Sequence, residues 1–154
     1  MPRDKSLASE DPYDLQRFVA AQAPVYDTVL AELRAGRKRS HWIWYVFPQL
    51  RGLGRSATAE RFGIGSLDEA RAYLDHDVLG PRLRECAQLV AGSAQVSAVE
   101  LFGRPDDLKV RSSMTLFSRA ADDPDLAAVF SAVLDKYYSG EPDPLTVEKL
   151  SAQR

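Results

Sequence analysis

The segment His41-Trp42-Ile43-Trp44-Tyr45-Val46-Phe47-Pro48-Gln49 brings an imidazole, three large amphipathic rings and a carboxamide into nine residues. Histidine can act as acid, base or hydrogen-bond donor. Gln49, just after the Pro48 stop, can hold its amide toward a ligand. On a helix, His41, Trp44 and Tyr45 share one face at i, i+3 and i+4. That would set an imidazole beside two π-surfaces, an arrangement suited to stacking on a planar ring. The opposing expectation is a hydrophobic core. Rings of this size are costly to leave in water, so Ile43, Val46, Phe47 and at least one tryptophan should be buried.

A second group lies in Lys109-Val110-Arg111-Ser112-Ser113-Met114-Thr115. On a helix, Lys109, Ser112 and Ser113 fall together, opposite the apolar stripe. An ammonium beside two hydroxyls suits a phosphate or a carboxylate. The alternative is a polar face whose hydroxyls bond back to carbonyls one turn earlier. Asp106 and Asp107 suit the start of that helix, where negative charge is favourable.

Joined, the two segments predict one site for a small, anionic, nucleotide-like ligand. Trp44 or Tyr45 would stack on its ring, and Gln49, Lys109, Arg111, Ser112 and Ser113 would hold its polar groups. His41 would serve as acid or base if there is turnover. The prediction requires the two segments to touch. A rival from another class is a non-enzymatic module that binds RNA or an acidic protein through the basic–aromatic stretch 34–45. Residues 34–61 hold seven cations against Glu60 alone, a net +6 in a chain of net charge −2. Such a stretch meets anionic partners or simply forms a solvated loop.

Several chemistries find no support. There is no phosphate-binding loop, and Gly63-Ile64-Gly65 is too little for a dinucleotide fingerprint. Two histidines 35 positions apart make a poor metal site. No cofactor and no metal is therefore expected. The single cysteine, Cys86, sits in an apolar helical stripe and reads as core. His76, within Asp75-His76-Asp77, reads as a surface turn. The longest apolar run, Trp42 to Phe47, has six residues, against roughly 20 needed to cross a bilayer. The N-terminal stretch lacks the apolar core of a signal peptide, so the cytoplasm is the expected location.

The elements that must position these groups are mostly helical. Asp11-Pro12 reads as a cap and a first-turn proline before Leu15, Phe18, Val19 and Gln22. A second helix runs from about Val25 to a stop at Gly36. Ser40 to Phe47 fits a strand by propensity and a short helix capped by Ser40 equally well. A short element lies near Ser56 to Phe62. Ser66-Leu67-Asp68-Glu69 is a capping box that opens the next helix. Another helix follows Gly80-Pro81 and ends at Gly92, and Ser97 caps a short turn. Val110, Met114, Phe117 and Ala121 form the stripe of the helix opened by Pro105-Asp106-Asp107. Asp123-Pro124 and Asp143-Pro144 open the last two. The expectation is an all-α single domain over 11–154, with about seven helices, one strand-like segment near 41–47 left open, and a frayed tail at 1–10.

The same residues carry a resemblance. Asp14-Leu15-Gln16-Arg17-Phe18-Val19 with Ala21-Gln22, the segment His41 to Gln49, Leu79-Gly80-Pro81-Arg82-Leu83, and the run Asp106 to Phe117 resemble the bacterial domain-of-unknown-function family eighteen-ten. The likeness spans roughly Asp11 to Leu150. It implies a small multihelical fold and carries over no catalytic residue. That family is often labelled "calpastatin", but inhibitors of that kind resemble disordered repeats, whereas this chain has a core's worth of apolar residues.

Overall fold

The structure is a computed structural model that describes residues 11–153. The expected tail, Met1 to Glu10, lies outside them. The described residues form ten helices: α1 (Gln16–Gln22), α2 (Tyr26–Ala35), α3 (Ile43–Val46), α4 (Ala57–Arg61), α5 (Leu67–Asp75), α6 (Leu79–Ala91), α7 (Ala98–Phe102), α8 (Asp106–Ala120), α9 (Pro124–Tyr137) and α10 (Pro144–Ala152). The all-α expectation holds, but ten helices replace about seven. The extra three, α3, α4 and α7, are segments of four or five residues that close a helical turn.

The ambiguous segment is helical, not strand-like. The amides of Val46 and Phe47 reach the carbonyls of Trp42 and Ile43 at 3.2 and 3.0 Å. Ser40 does not cap it; Trp42 occupies the N-cap position with no side-chain cap bond. Burial decided the matter. A four-residue helix sends Ile43 and Val46 inward while Trp44 and Tyr45 stay partly exposed. The one extended pairing among the described residues is an isolated parallel bridge between Leu50 and Ile64.

Most caps follow the sequence. The side chains of Ser56, Ser66, Ser97, Asp123 and Asp143 each accept from a first-turn amide. Two starts differ. Asp11 accepts from the amides of Leu15 and Gln16, but left-handed backbone at Asp14 (φ 52°) delays α1 to Gln16, so Pro12 stands outside it. Helix α6 begins before Gly80-Pro81. The Nδ1 of His76 accepts from the amides of Val78 and Leu79 at that end. Pro81 falls in the first turn, where its missing N–H had no intrahelical partner to lose. Gly80 is there for space: a Cβ would stand 2.1 Å from the carbonyl oxygen of Leu74.

Helix α8 is the centre of the fold. Nine of its fifteen residues are buried, and it packs against α3, α5, α7, α9 and α10. Its apolar stripe ends at Ala120, with Ala121 just past the helix. A chain of aromatic contacts crosses the core, from Tyr45 through Phe62, Phe18, Tyr73 and Phe117 to Phe130, with ring centroids 5.2–6.0 Å apart. Cys86 is fully buried, and burial pushes its thiol up to about 12, so it carries no thiolate chemistry.

Candidate functional site

The site begins with a buried carboxylate. Glu32, on α2, is 9% exposed. Its Oε1 accepts from the amides of Arg39 (2.9 Å) and Ser40 (3.1 Å) and from the Trp42 indole N–H (2.8 Å). Its Oε2 accepts from the Ser40 hydroxyl at 2.6 Å. Burial pushes the carboxyl up, but the Ser40 hydroxyl, the two amides and the indole outweigh it and hold the group down at about 2. One side chain thus folds the loop that enters α3 and pins Trp42, which is 1% exposed, inside.

Trp44 turns the other way, toward α8. The Lys109 ammonium lies 5.8 Å from the centroid of its ring, within cation–π range. The two segments predicted to meet therefore do meet, at this pair. Asp106, one turn before Lys109, ties the pair to the loop. Its Oδ1 lies 3.8 Å from the Lys109 ammonium and its Oδ2 lies 2.7 Å from that of Lys38. Lys38 also donates to the Ser40 carbonyl and sits 5.2 Å from the Trp42 centroid. Its side chain is 5% exposed, so Lys38 belongs to the wall of the site. Lys109 is 20% exposed and makes the longer contact. At 3.8 Å this contact is too long for a hydrogen bond, so the Lys109 ammonium keeps donor capacity for an incoming anion. Lys38 and Lys109 thus stand among two carboxylates, Asp106 and the buried Glu32, and Lys109 is the cation on the outer side of the group.

The remaining predicted residues are placed as follows. His41 is exposed, two residues before α3. Tyr45 packs its ring on Phe62, 5.2 Å between centroids, so it does not share the Trp44 surface. The Gln49 amide lies beside Gly54, where a Cβ would come within 3.3 Å of its nitrogen. Arg111 donates from Nε to the Glu141 carbonyl at 3.1 Å. Ser112 is 7% exposed and shares its proton between the Leu108 carbonyl and Asp143 Oδ2. Ser113 is fully buried, and its hydroxyl has no hydrogen-bond partner among the described residues.

The hydroxyls of this helix mainly secure α10. Asp143 Oδ2 accepts from the amide and hydroxyl of Thr146 as well as from Ser112. Thr115 donates to the Arg111 carbonyl and accepts from the Asp143 amide. Residues that sequence reasoning missed are Glu32, Lys38 and Asp106. Lys38 was hidden in Arg37-Lys38-Arg39, which reads as a solvated run, and Asp106 was assigned to the helix start alone. No local period links Glu32 to Trp42, ten positions on.

Among the described residues, no group of three or more His, Cys, Asp or Glu is placed to hold a metal ion. No helix among them is long and apolar enough to cross a membrane.

Fold and surface together define the class: a small all-helical protein with an indole–ammonium pair on its surface. The chain belongs to the family described as "Protein of unknown function (DUF1810)", whose model matches residues 12–150. Among solved structures it is similar to the conserved hypothetical protein Rv1873 from Mycobacterium tuberculosis. The two are 61% identical, the match covers 92% of this chain and 99% of that one, and the TM-score is 0.88. No curated protein matches the chain.

Proposed function

We propose that the surface where α3 meets the first turns of α8 binds a small planar anion, with a nucleotide-like compound as the first candidate. The observation that carries this reading is the Lys109 ammonium set 5.8 Å from the centroid of the half-buried Trp44 ring. A base stacked on the indole would place its phosphate toward Lys109. His41, exposed at the entrance to α3, is the acid or base in this reading if the ligand is turned over. Tyr45, Gln49, Arg111, Ser112 and Ser113 have no direct part in this reading, because they engage Phe62, Gly54, Glu141, Asp143 and the core.

The rival reading, RNA or an acidic protein bound along 34–45, has less support. Single-strand binding wants several exposed rings over a basic groove, and Trp42 is buried against Glu32.

Thermal shift with AMP, ribose 5-phosphate, adenosine and a single-stranded RNA tests both readings. Stabilisation should grow with ligand, reaching about 2.7 kcal/mol at 100 times the dissociation constant. AMP is expected to stabilise the wild type, and Lys109→Gln, Trp44→Ala and His41→Ala to weaken that effect. Stabilisation by RNA alone would favour the rival, and no shift with any compound would remove the proposal.

A further inference from the structure

Three arginines from three parts of the chain converge on one open cleft of about 520 Å³, lined by Pro12, Tyr13, Asp14, Arg17, Arg51, Arg61 and Glu69. Arg17 is its floor. All of its donor atoms are engaged: Nε on the Arg61 carbonyl, Nη1 on the carbonyls of Tyr13 and Asp14, Nη2 on the Gly63 carbonyl and on Glu69. The Arg17–Glu69 pair is closed at 2.9 Å, with side chains 10% and 6% exposed. Glu69 is therefore committed and does not neutralise the other two arginines.

Arg51 and Arg61 are exposed, and neither forms an ion pair among the described residues. Both are nevertheless held. The Arg51 amide donates to the Ile64 carbonyl at 2.8 Å, and its Nη2 donates to the Gly63 carbonyl at 3.0 Å. This approach needs glycine. A Cβ at Gly63 would stand 2.7 Å from Arg51 Cα, and one at Gly65 would stand 3.3 Å from Arg51 Nη1. Gly63, in a run too short for a dinucleotide fingerprint, so acquires another role: it lets its backbone approach that of Arg51 and fixes where the Arg51 side chain starts. Arg61 lies with its guanidinium carbon 5.1 Å from the Phe62 centroid. Arg51 spends one donor on the protein, and Arg61 spends none among the described residues. Against them the cleft sets Asp14, so its lining carries a net +1.

We propose that this cleft is a second anion site, separate from the Trp44–Lys109 surface, and that it takes a phosphoryl group gripped between Arg51 and Arg61. Two guanidinium forks match the several oxygens of a phosphoryl group, whereas a carboxylate fills one fork. The site needs no movement of the core, because Arg17 and Glu69 already neutralise each other beneath it.

Thermal shift and calorimetry with inorganic pyrophosphate test the proposal. Pyrophosphate is expected to stabilise the wild type. Arg51→Gln and Arg61→Gln should each weaken it at least about tenfold, the loss of roughly one charge-assisted contact. Arg51→Lys, which keeps the charge and loses the fork, should be intermediate. In the Lys109→Gln background the Arg51→Gln loss should still appear in full, and this arm separates the cleft from the Trp44–Lys109 surface. Acetate at equal concentration should give no shift. The proposal is overturned by no shift with pyrophosphate, by a shift that survives the Arg51→Gln/Arg61→Gln double variant, or by an equal shift with acetate.

Discussion

Replacing Glu32 with glutamine keeps the shape of the side chain and removes its charge. The structure sets the size of the effect. The carboxyl is held at about 2 against an ordinary 4.5. One pKa unit is worth about 1.4 kcal/mol, so the ionised group contributes about 3 kcal/mol at most. Because the folded value is the lower one, the unfolded chain binds the extra proton. The stabilisation is complete above the ordinary 4.5 and is lost as pH falls toward 2. Urea unfolding of the wild type and Glu32→Gln at a series of pH values reads this directly. The variant should be less stable by about 2–3 kcal/mol at pH 7, and the gap should shrink below about 1 kcal/mol near pH 2.5. Other carboxylates titrate in both proteins and cancel in the difference. A gap that stays constant from pH 7 to pH 2.5 would refute the reasoning, since the loop would then not depend on the charge.

Other outcomes follow from the same contacts. Arg17→Met opens a buried ion pair and removes an arginine donor from the carbonyls of Tyr13, Asp14 and Arg61, while Gly63 keeps Arg51, so denaturant unfolding should show a loss of about 3 kcal/mol. Gly80→Ala drives a methyl to 2.1 Å from the Leu74 carbonyl oxygen and should cost at least about 2 kcal/mol or abolish soluble expression. Ser112→Ala and Ser113→Ala should differ although they are neighbours. The first loses its contact with Asp143 and costs about 1 kcal/mol, while the second removes an unpartnered buried hydroxyl and should be neutral or slightly stabilising.

Features carried by adjacent residues were legible from the sequence. The capping serines and aspartates announce themselves within three positions, and so does the stop at Gly36, which adopts positive φ. The stripe of α8 was legible because its period runs over about three turns. What stayed illegible was set by partners far along the chain. Whether 41–47 coiled or extended turned on which of its side chains the rest of the chain buries. Pro12 looked like a first-turn proline because nothing local shows Arg17 drawing down the carbonyls of Tyr13 and Asp14. For the candidate site, residue types alone suggested that segments 41–49 and 109–115 touch, but not that Trp44, rather than Tyr45, lies beside Lys109. The division of labour among its neighbours was not legible either: a hydroxyl beside a lysine looks the same in sequence whether it faces a ligand or, like Ser112, the cap of the next helix.

The proposed binding surface rests on Trp44, and tryptophan fluorescence reports on it without any label. The chain has two tryptophans, one buried and one partly exposed. Titrating AMP into the wild type should give saturable quenching, which disappears in Trp44→Phe while the emission of Trp42 stays unchanged. Saturable AMP binding that leaves wild-type emission unaltered, or quenching that persists in Trp44→Phe, would contradict the account.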